Sequence, residues 1–295
     1  MPRTADIIAH ALYEDGIRYA YGIPGGEVLD ILEAFRKAGI RFILTKQELG
    51  AGIMADATYQ LTGKPGVLVA TLGPGITNTA TAVAQALLDR SAMVVLTGEI
   101  ATSLKPIYTH QILDQKSLLR PLVKWTTTIA PKNAFDQVRK GLAIARSAMP
   151  GPVHFNVPTD VAGAEQAEAR RFAPVAVRTL PRREDRAPIE ALLKKARRPL
   201  ALIGVGVQID GAERELKRFI EAWRVPFIAT YKAKGVVAED HALCAGATGL
   251  SPVVDKIHMA HVREADLILT IGFDPVELRA DWIAPWDEKK ATVNI

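Results

Sequence analysis

Apolar positions recur along this chain at two periods. From Thr4 onward, Ile7, Ile8, Ala11 and Leu12 fall at helical spacing, with Thr4 placed to cap the helix and Gly16 to stop it. A short strand at 18–22 and a Pro-Gly-Gly turn follow, then a helix from 27 to 38 ended by Gly39, and the strand IRFILT at 40–45. A helix over 46–60 leads to the strand VLVATLG at 67–73, a helix over 77–88 and the strand AMVVLTG at 92–98. After an irregular segment, a helix over 133–148 precedes GPVHFNVP at 151–158, a further buried strand. Strands apolar on both faces, alternating with amphipathic helices, predict a parallel sheet covered on both sides. Residues 1–162 therefore read as one doubly wound α/β domain.

Between 163 and 187 the periodicity lapses and Arg and Pro accumulate, the composition of a linker. A second alternation occupies 188–295: helix IEALLKKA, strand PLALIG, helix ERELKRFIEAW, strand PFIAT, helix VVDKIHMAHVRE and strand DLILTIG. This predicts a second doubly wound, Rossmann-like parallel-sheet domain. The closing ATVNI reads as the start or middle of another strand, so the second domain is expected to be truncated and the chain to be part of a longer protein.

Composition narrows the function classes. The 295 residues suffice for two cores, and 48% hydrophobic with 23% charged residues is ordinary globular composition. The net charge of +5 is mild, and the Arg residues cluster within 170–186 instead of forming a stripe interleaved with aromatics, so no nucleic-acid partner is expected. Cys244 is the only cysteine, which rules out a disulfide framework or a cysteine cluster for zinc within one chain and favours a reducing compartment. No apolar run approaches the roughly 18 residues of a membrane span, and no signal-peptide pattern opens the chain. A soluble, cytoplasmic protein without a membrane partner is the expectation.

The weaker motifs have structural readings. GVGVQIDG at 204–211 follows a strand but misses the G-x-G-x-x-G spacing at Ile209, so it reads as a tight strand-to-helix turn. His258 and His261 share a helical face without a third ligand nearby, which favours packing over metal. Asp89 and Arg90 read as a solvated helix end, and Lys64 as a turn residue.

Glu48 is less easily placed. On a helix over 46–60 it shares its face with Ala51, Gly52 and Ala55, the most apolar side of that helix. Thr45 and Glu48 match the spacing of a capping box, which would make the acid structural. The other reading is a carboxylate shielded from water by small neighbours and set for proton exchange. Periodicity leaves both open. Three stretches leave the carboxyl ends of expected parallel strands, where ligands of such sheets gather: GIPGGE at 22–27, TKQELGAG at 45–52 and TLGPGITN at 71–78. In the last, Gly73 and Gly75 permit close backbone approach, Pro74 stiffens the loop, and Thr77 or Asn78 is placed to cap the next helix.

Taken together, these motifs resemble the thiamine-diphosphate enzymes of the acetolactate synthase group. The match runs through ELGAGIMADATYQLTGKPGVLVATLGPGITNTATAVAQALLD, GIPGG, THQILDQKSLLRPLVKW, YKAKG and ADLILTIGFDPVEL, and covers nearly the whole chain. Leu72 stands where the group's S-G-P-G motif has serine, which puts a hydroxyl contact there in doubt. IGFDPVEL is similar to the segment of catabolic, flavin-independent members, so FAD is not expected.

The resemblance implies that residues 1–162 form a pyrimidine-binding domain and 188–295 most of the central domain, with the diphosphate domain absent. Glu48 would hydrogen-bond the aminopyrimidine N1′ of thiamine diphosphate. Pro24, Gly25, Gly26, Thr71, Gly73, Pro74 and Asn78 would line the cofactor, and Gln111 would contact a 2-oxo acid such as pyruvate or its intermediate. His110 is as readily a loop-orienting residue, and Lys124 either favours an anionic substrate or makes a surface ion pair. Decarboxylation and ligation to a second carbonyl would follow, in a homodimer or homotetramer. No GDG occurs, so Mg²⁺ is expected in the missing domain, and this chain alone is expected to be inactive. The alternatives are another decarboxylase or lyase of the same superfamily, or a non-catalytic binding subunit.

Overall fold

A computed structural model describes residues 1–166, 181–282 and 285–295, without the side chains of Arg183 and Glu277. The chain forms two compact units, Met1–Ala176 and Val177–Ile295. Their division falls inside the expected linker, of which 167–180 lie outside the described residues.

The first unit contains α1 (Thr4–Glu14), β1 (Tyr19–Gly22), α2 (Leu29–Ala38), β2 (Arg41–Leu44), α3 (Glu48–Thr62), β3 (Gly66–Ala70), α4 (Pro74–Thr77), α5 (Ala80–Leu88) and β4 (Met93–Glu99). It continues through α6 (Gln115–Leu119), β5 (Trp125–Thr128), α7 (Ala134–Arg146), β6 (Pro152–Pro158) and α8 (Thr159–Gly163). Its six strands are all parallel, in the order β2-β1-β3-β4-β6-β5.

Burial follows the apolar pattern. In α2 the side chains of Ile31, Ala34 and Phe35 are buried at helical spacing, and Gly39 closes the helix with a φ of 84°. One core lies between the sheet and α1, α2 and α7, built on Ile8, Phe35, Val138 and Phe155. The other lies beneath α3 and α5, built on Ala51, Leu68, Val83 and Val95. The helix after β1 thus packs on one face and the helix after β3 on the other. Their loops diverge between β1 and β3, the switch point at which ligands of open parallel sheets bind.

The second unit contains α9 (Arg183–Lys195), β7 (Pro199–Ile203), α10 (Gly206–Asp210), α11 (Glu213–Trp223), β8 (Phe227–Thr230), β9 (Cys244–Thr248), α12 (Pro252–Glu264), β10 (Leu267–Ile271) and β11 (Ala291–Asn294). Its five strands are also parallel, in the order β11-β10-β7-β8-β9. The closing ATVNI is the edge strand β11, paired with β10.

Several elements depart from the sequence reading. The single helix expected over 77–88 is two, α4 and α5, broken at Asn78 and Thr79. Strands β5 and β9 lie at sheet edges, where the half-buried WTTT and CAGAT carry no strong apolar alternation. Helix α9 begins at Arg183, inside the expected linker, although its early positions are polar and exposed. His258 is buried, and its Nε2–H donates to the Ala245 carbonyl at 3.1 Å, a packing role. Among the described residues no three His, Cys, Asp or Glu gather to hold a metal, and no helix is long and apolar enough to cross a membrane.

Candidate active site

Because the strands are parallel, the loops after β1, β2, β3 and β4 leave the same edge of the sheet. Close contacts show that they converge. A Cβ built on Gly25, after β1, would lie 2.2 Å from Cγ2 of Thr71, after β3. One on Gly73 would lie 2.7 Å from both Cβ and the carbonyl oxygen of Gln111, after β4. One on Gly75 would lie 2.4 Å from Oγ1 of Thr71 and 3.7 Å from Oε1 of Glu48, after β2. A Cβ on Gly25 or Gly75 would displace the Thr71 side chain, and one on Gly73 would meet the backbone of the Gln111 loop itself.

Glu48 is the first residue of α3 and is buried, at 8% exposure, with Ala51, Gly52 and Ala55 on the same inward face. The capping box does not form. The Thr45 hydroxyl instead lies toward the carbonyls of Gly22 and Gln47, at 3.3 and 2.9 Å, and the helix starts three residues later with Gln47 in the cap position. One carboxylate oxygen, Oε2, accepts a hydrogen bond from Asn78 Nδ2 at 3.2 Å. Oε1 has no hydrogen-bond partner among the described residues and lies 3.7 Å from where a Cβ on Gly75 would stand.

Neither Thr77 nor Asn78 caps the following helix: Thr77 Oγ1 donates to the Pro74 carbonyl at 3.0 Å, and Asn78, itself exposed, reaches to Glu48. The break between α4 and α5 is what frees that amide. Gly73 has a φ of 60°, a conformation that side chains resist. Gln111 adopts a φ of 58° although it is not glycine, a local strain of the kind that accompanies functional loops. Leu72, in place of the group's serine, is buried, and the hydroxyl nearest Gly75 belongs to Thr71.

Glu48, Asn78, Thr71, Gly73, Gly25 and Gln111 are thus brought into one contiguous constellation. Pro24 and Gly26 flank it but are exposed, and a Cβ on Gly26 would meet nothing within 4 Å. Pro74 is exposed at the start of α4. His110 is exposed and makes an edge contact with Tyr108, the rings 6.2 Å apart.

Lys124 does not face this edge and forms no ion pair among the described residues. It precedes β5, at the opposite end of the sheet, and Nζ donates to the carbonyls of Ser147 and Met149 at 2.6 and 2.8 Å beyond α7. Burial lowers its pKa.

Sequence reasoning missed a polar cluster behind the constellation. Thr97, Gln115, His154 and Asn156 are buried where β4, β6 and α6 meet. The signal was present in the polar residues of AMVVLTG and GPVHFNVP, strands read simply as apolar.

The arrangement fits a flat, nitrogen-bearing ring. It offers a shielded carboxylate with one oxygen fixed and the other available, beside a cradle of glycines and a threonine that an added Cβ would fill. Such a pair of features can accept an N–H bond or hold a proton on a ring nitrogen.

Comparison with known proteins adds an independent view. Residues 2–118 match the family described as thiamine pyrophosphate enzyme, N-terminal TPP binding domain, and residues 187–295 match the thiamine pyrophosphate enzyme central domain. A probable acetolactate synthase large subunit of Methanocaldococcus jannaschii is 33% identical over 279 residues, 92% of this chain and 47% of that protein. The acetolactate synthase of Bacillus subtilis is 30% identical over 281 residues, 93% of this chain and 48% of that protein. A probable 2-ketoarginine decarboxylase of Pseudomonas aeruginosa is 32% identical over 268 residues, 87% and 46% respectively. The chain spans about half the length of these curated relatives.

Proposed function

We propose that this chain, which belongs to the thiamine pyrophosphate enzymes and carries their N-terminal and central domains, supplies the pyrimidine side of an acetolactate synthase-like active site for a 2-oxo acid. The observation that carries the reading is the buried Glu48, with Oε2 held by Asn78 and Oε1 beside Gly75. Bound thiamine diphosphate supplies an electron sink for decarboxylating the 2-oxo acid and for joining the product to a second carbonyl.

The residues of this chain position that chemistry. Glu48 Oε1 would bond the ring nitrogen of the pyrimidine and hold or release a proton there, while Asn78 fixes the carboxylate plane. Thr71, Gly73 and Pro74 would shape one side of the ring site, and the loop of Pro24, Gly25 and Gly26 the other. Gln111, held against Gly73, would present its amide to the substrate.

We assign the diphosphate and its Mg²⁺ to the part of the relatives that this chain does not span. A flavin-free central domain is supported by Gly204 and Gly206, which pack on the backbone of Gly272; the Gly206 N–H donates to its carbonyl at 2.8 Å, so these glycines serve loop packing. A homo-oligomer is supported by the outward face of α3, where exposed Leu49, Ile53, Met54 and Leu61 carry no charge among them. The single cysteine fits a cytoplasmic setting.

The test is Glu48→Gln in the protein as its gene encodes it. The amide keeps the contact with Asn78 but loses the carboxylate, so the fold should persist while 2-oxo acid turnover falls by about 10²- to 10⁴-fold. Undiminished turnover would refute the assignment. The relative named for 2-ketoarginine favours a second reading, a decarboxylase of a longer 2-oxo acid. Comparing pyruvate with such substrates in the same assay separates the two.

A further inference from the structure

Strands β4 and β6 are neighbours inside the first sheet, with Thr97 in register with Asn156. Such a position is ordinarily apolar, and burying amides there is costly unless each finds a partner. Asn156 finds several. Its Nδ2 donates to Glu99 Oε2 at 2.5 Å, and its Oδ1 accepts from Gln115 Nε2 at 3.1 Å and from Thr97 Oγ1 at 3.2 Å. Gln115 Nε2 also donates to the Gly98 carbonyl at 3.0 Å, and Lys105 Nζ lies 2.7 Å from Glu99 Oε2.

The chain positions of these partners are what matter. Glu99 ends β4 and Gln115 begins α6, so one buried amide ties together both ends of segment 100–114. A third tether holds the segment near its start, where the backbone N–H and hydroxyl of Thr102 donate to the carboxylate of Asp160 in α8. Between the tethers the segment is exposed and carries Gln111, packed on Gly73 with a φ of 58°. An apolar core would hold the two ends together without direction. An amide offers a donor to one end and an acceptor to the other, so it fixes their spacing and orientation as well.

We propose that Asn156 is a positioning residue of the active site: with Glu99 and Gln115 it clamps the ends of segment 100–114 and so seats Gln111 on Gly73. This inference rests on the reading of Gln111 as the substrate contact.

The test reverses one bond. Asn156→Asp sets a carboxylate against Glu99 while leaving the acceptor for Gln115 and Thr97. The double variant N156D/E99Q restores the bond with donor and acceptor exchanged, and Lys105 keeps an oxygen to bind. Hydrogen exchange of the full-length protein, read by mass spectrometry, should accelerate about tenfold or more in peptides of 100–113 in N156D and return to the wild-type rate in the double variant. Peptides from α3 and α5 should not change. The KM for the 2-oxo acid should rise about tenfold and recover in parallel, with thiamine diphosphate affinity held within about twofold.

Lys105→Met carries the test without entering the core, since that side chain is 41% exposed. It removes one partner from Glu99, so the same peptides should loosen by a smaller factor. Unchanged exchange in both N156D and K105M, a double variant no better than N156D, or equal loosening of α3 and α5 would each overturn the proposal. Gln111→Ala separates the underlying reading: if it leaves KM unchanged while N156D loosens the segment, the substrate role of Gln111 fails and the clamp stands.

Discussion

Substituting His154 by Gln should flatten the acid side of the stability profile. His154 is fully buried in β6, between Thr97 Oγ1 at 2.8 Å from Nε2 and Thr126 Oγ1 at 2.8 Å from Nδ1. Thr97 donates its only proton to Asn156, so it accepts from Nε2–H, and the Thr126 hydroxyl donates to Nδ1. The neutral ring satisfies both neighbours. Burial, with a smaller contribution from the positive charge of Lys116, pushes the imidazole pKa down to about 3 from 6.5. As pH falls through 6.5 the unfolded chain takes up a proton that the folded one refuses until about pH 3. Stability is therefore complete above that window and declines through it, by about 1 kcal/mol at pH 6 and about 2 kcal/mol at pH 5. Gln keeps a donor and an acceptor but does not titrate. Urea unfolding followed by circular dichroism at pH 7.5, 6 and 5 gives the difference between wild type and H154Q, in which the other titrating groups cancel. Parallel profiles would show that His154 is already protonated in the fold, or that water reaches it.

Two further predictions concern the site and its reach. Gly75→Ala places a methyl group 2.4 Å from Thr71 Oγ1 and 3.7 Å from Glu48 Oε1, so thiamine diphosphate affinity of the full-length protein should fall about tenfold or more while circular dichroism stays unchanged; calorimetric titration with wild-type affinity would refute the cradle. Residues 1–295 alone, lacking any gathered metal ligands among the described residues, should bind thiamine diphosphate no better with Mg²⁺ than without, and a magnesium-dependent gain by calorimetry would place the diphosphate site within this chain.

The architecture is legible in the sequence wherever a strand is buried on both faces. The runs ending in Ala70, Glu99 and Ile271 are buried almost throughout and mostly apolar, and their helices carry clear stripes. Edge strands are another matter. WTTT and CAGAT are held by pairing on one side and are only half-buried, so their pattern does not separate them from loops. The helix break at Asn78 is only partly legible: Thr77, Asn78 and Thr79 are weak helix formers, which suits a cap as well as a break between two helices. Only tertiary contact, the bond from Asn78 to Glu48, distinguishes the residue. The constellation itself was visible through its glycines, since close approach of loops leaves a mark in residue type. The clamp at Asn156 was not, because a polar residue inside an apolar run has no partner until the sheet aligns it.

Glu48 shows why a local rule and a global one can disagree at a functional position. Thr45 and Glu48 have capping-box spacing, and a helix starting at Thr45 would use both side chains internally. The fold instead starts the helix at Glu48, because parallel pairing of β1 with β2 brings Thr45 onto Gly22: its N–H donates to that carbonyl at 3.0 Å. With the threonine drawn to the sheet, the carboxylate has no cap to complete. It turns inward among Ala51, Gly52 and Ala55, where one oxygen meets Asn78 and the other meets no donor among the described residues. Within the chain alone the carboxylate makes one side-chain hydrogen bond, and Oε1 is left for a further donor. That arrangement favours a ligand whose ring nitrogen supplies a donor, since the fold already holds the carboxylate in place through Asn78. On this reading Glu48 is kept for what it offers the cofactor and not for a helix cap. Glu48→Gln, which keeps an oxygen to accept from Asn78, should therefore leave stability to urea near that of the wild type while turnover is lost.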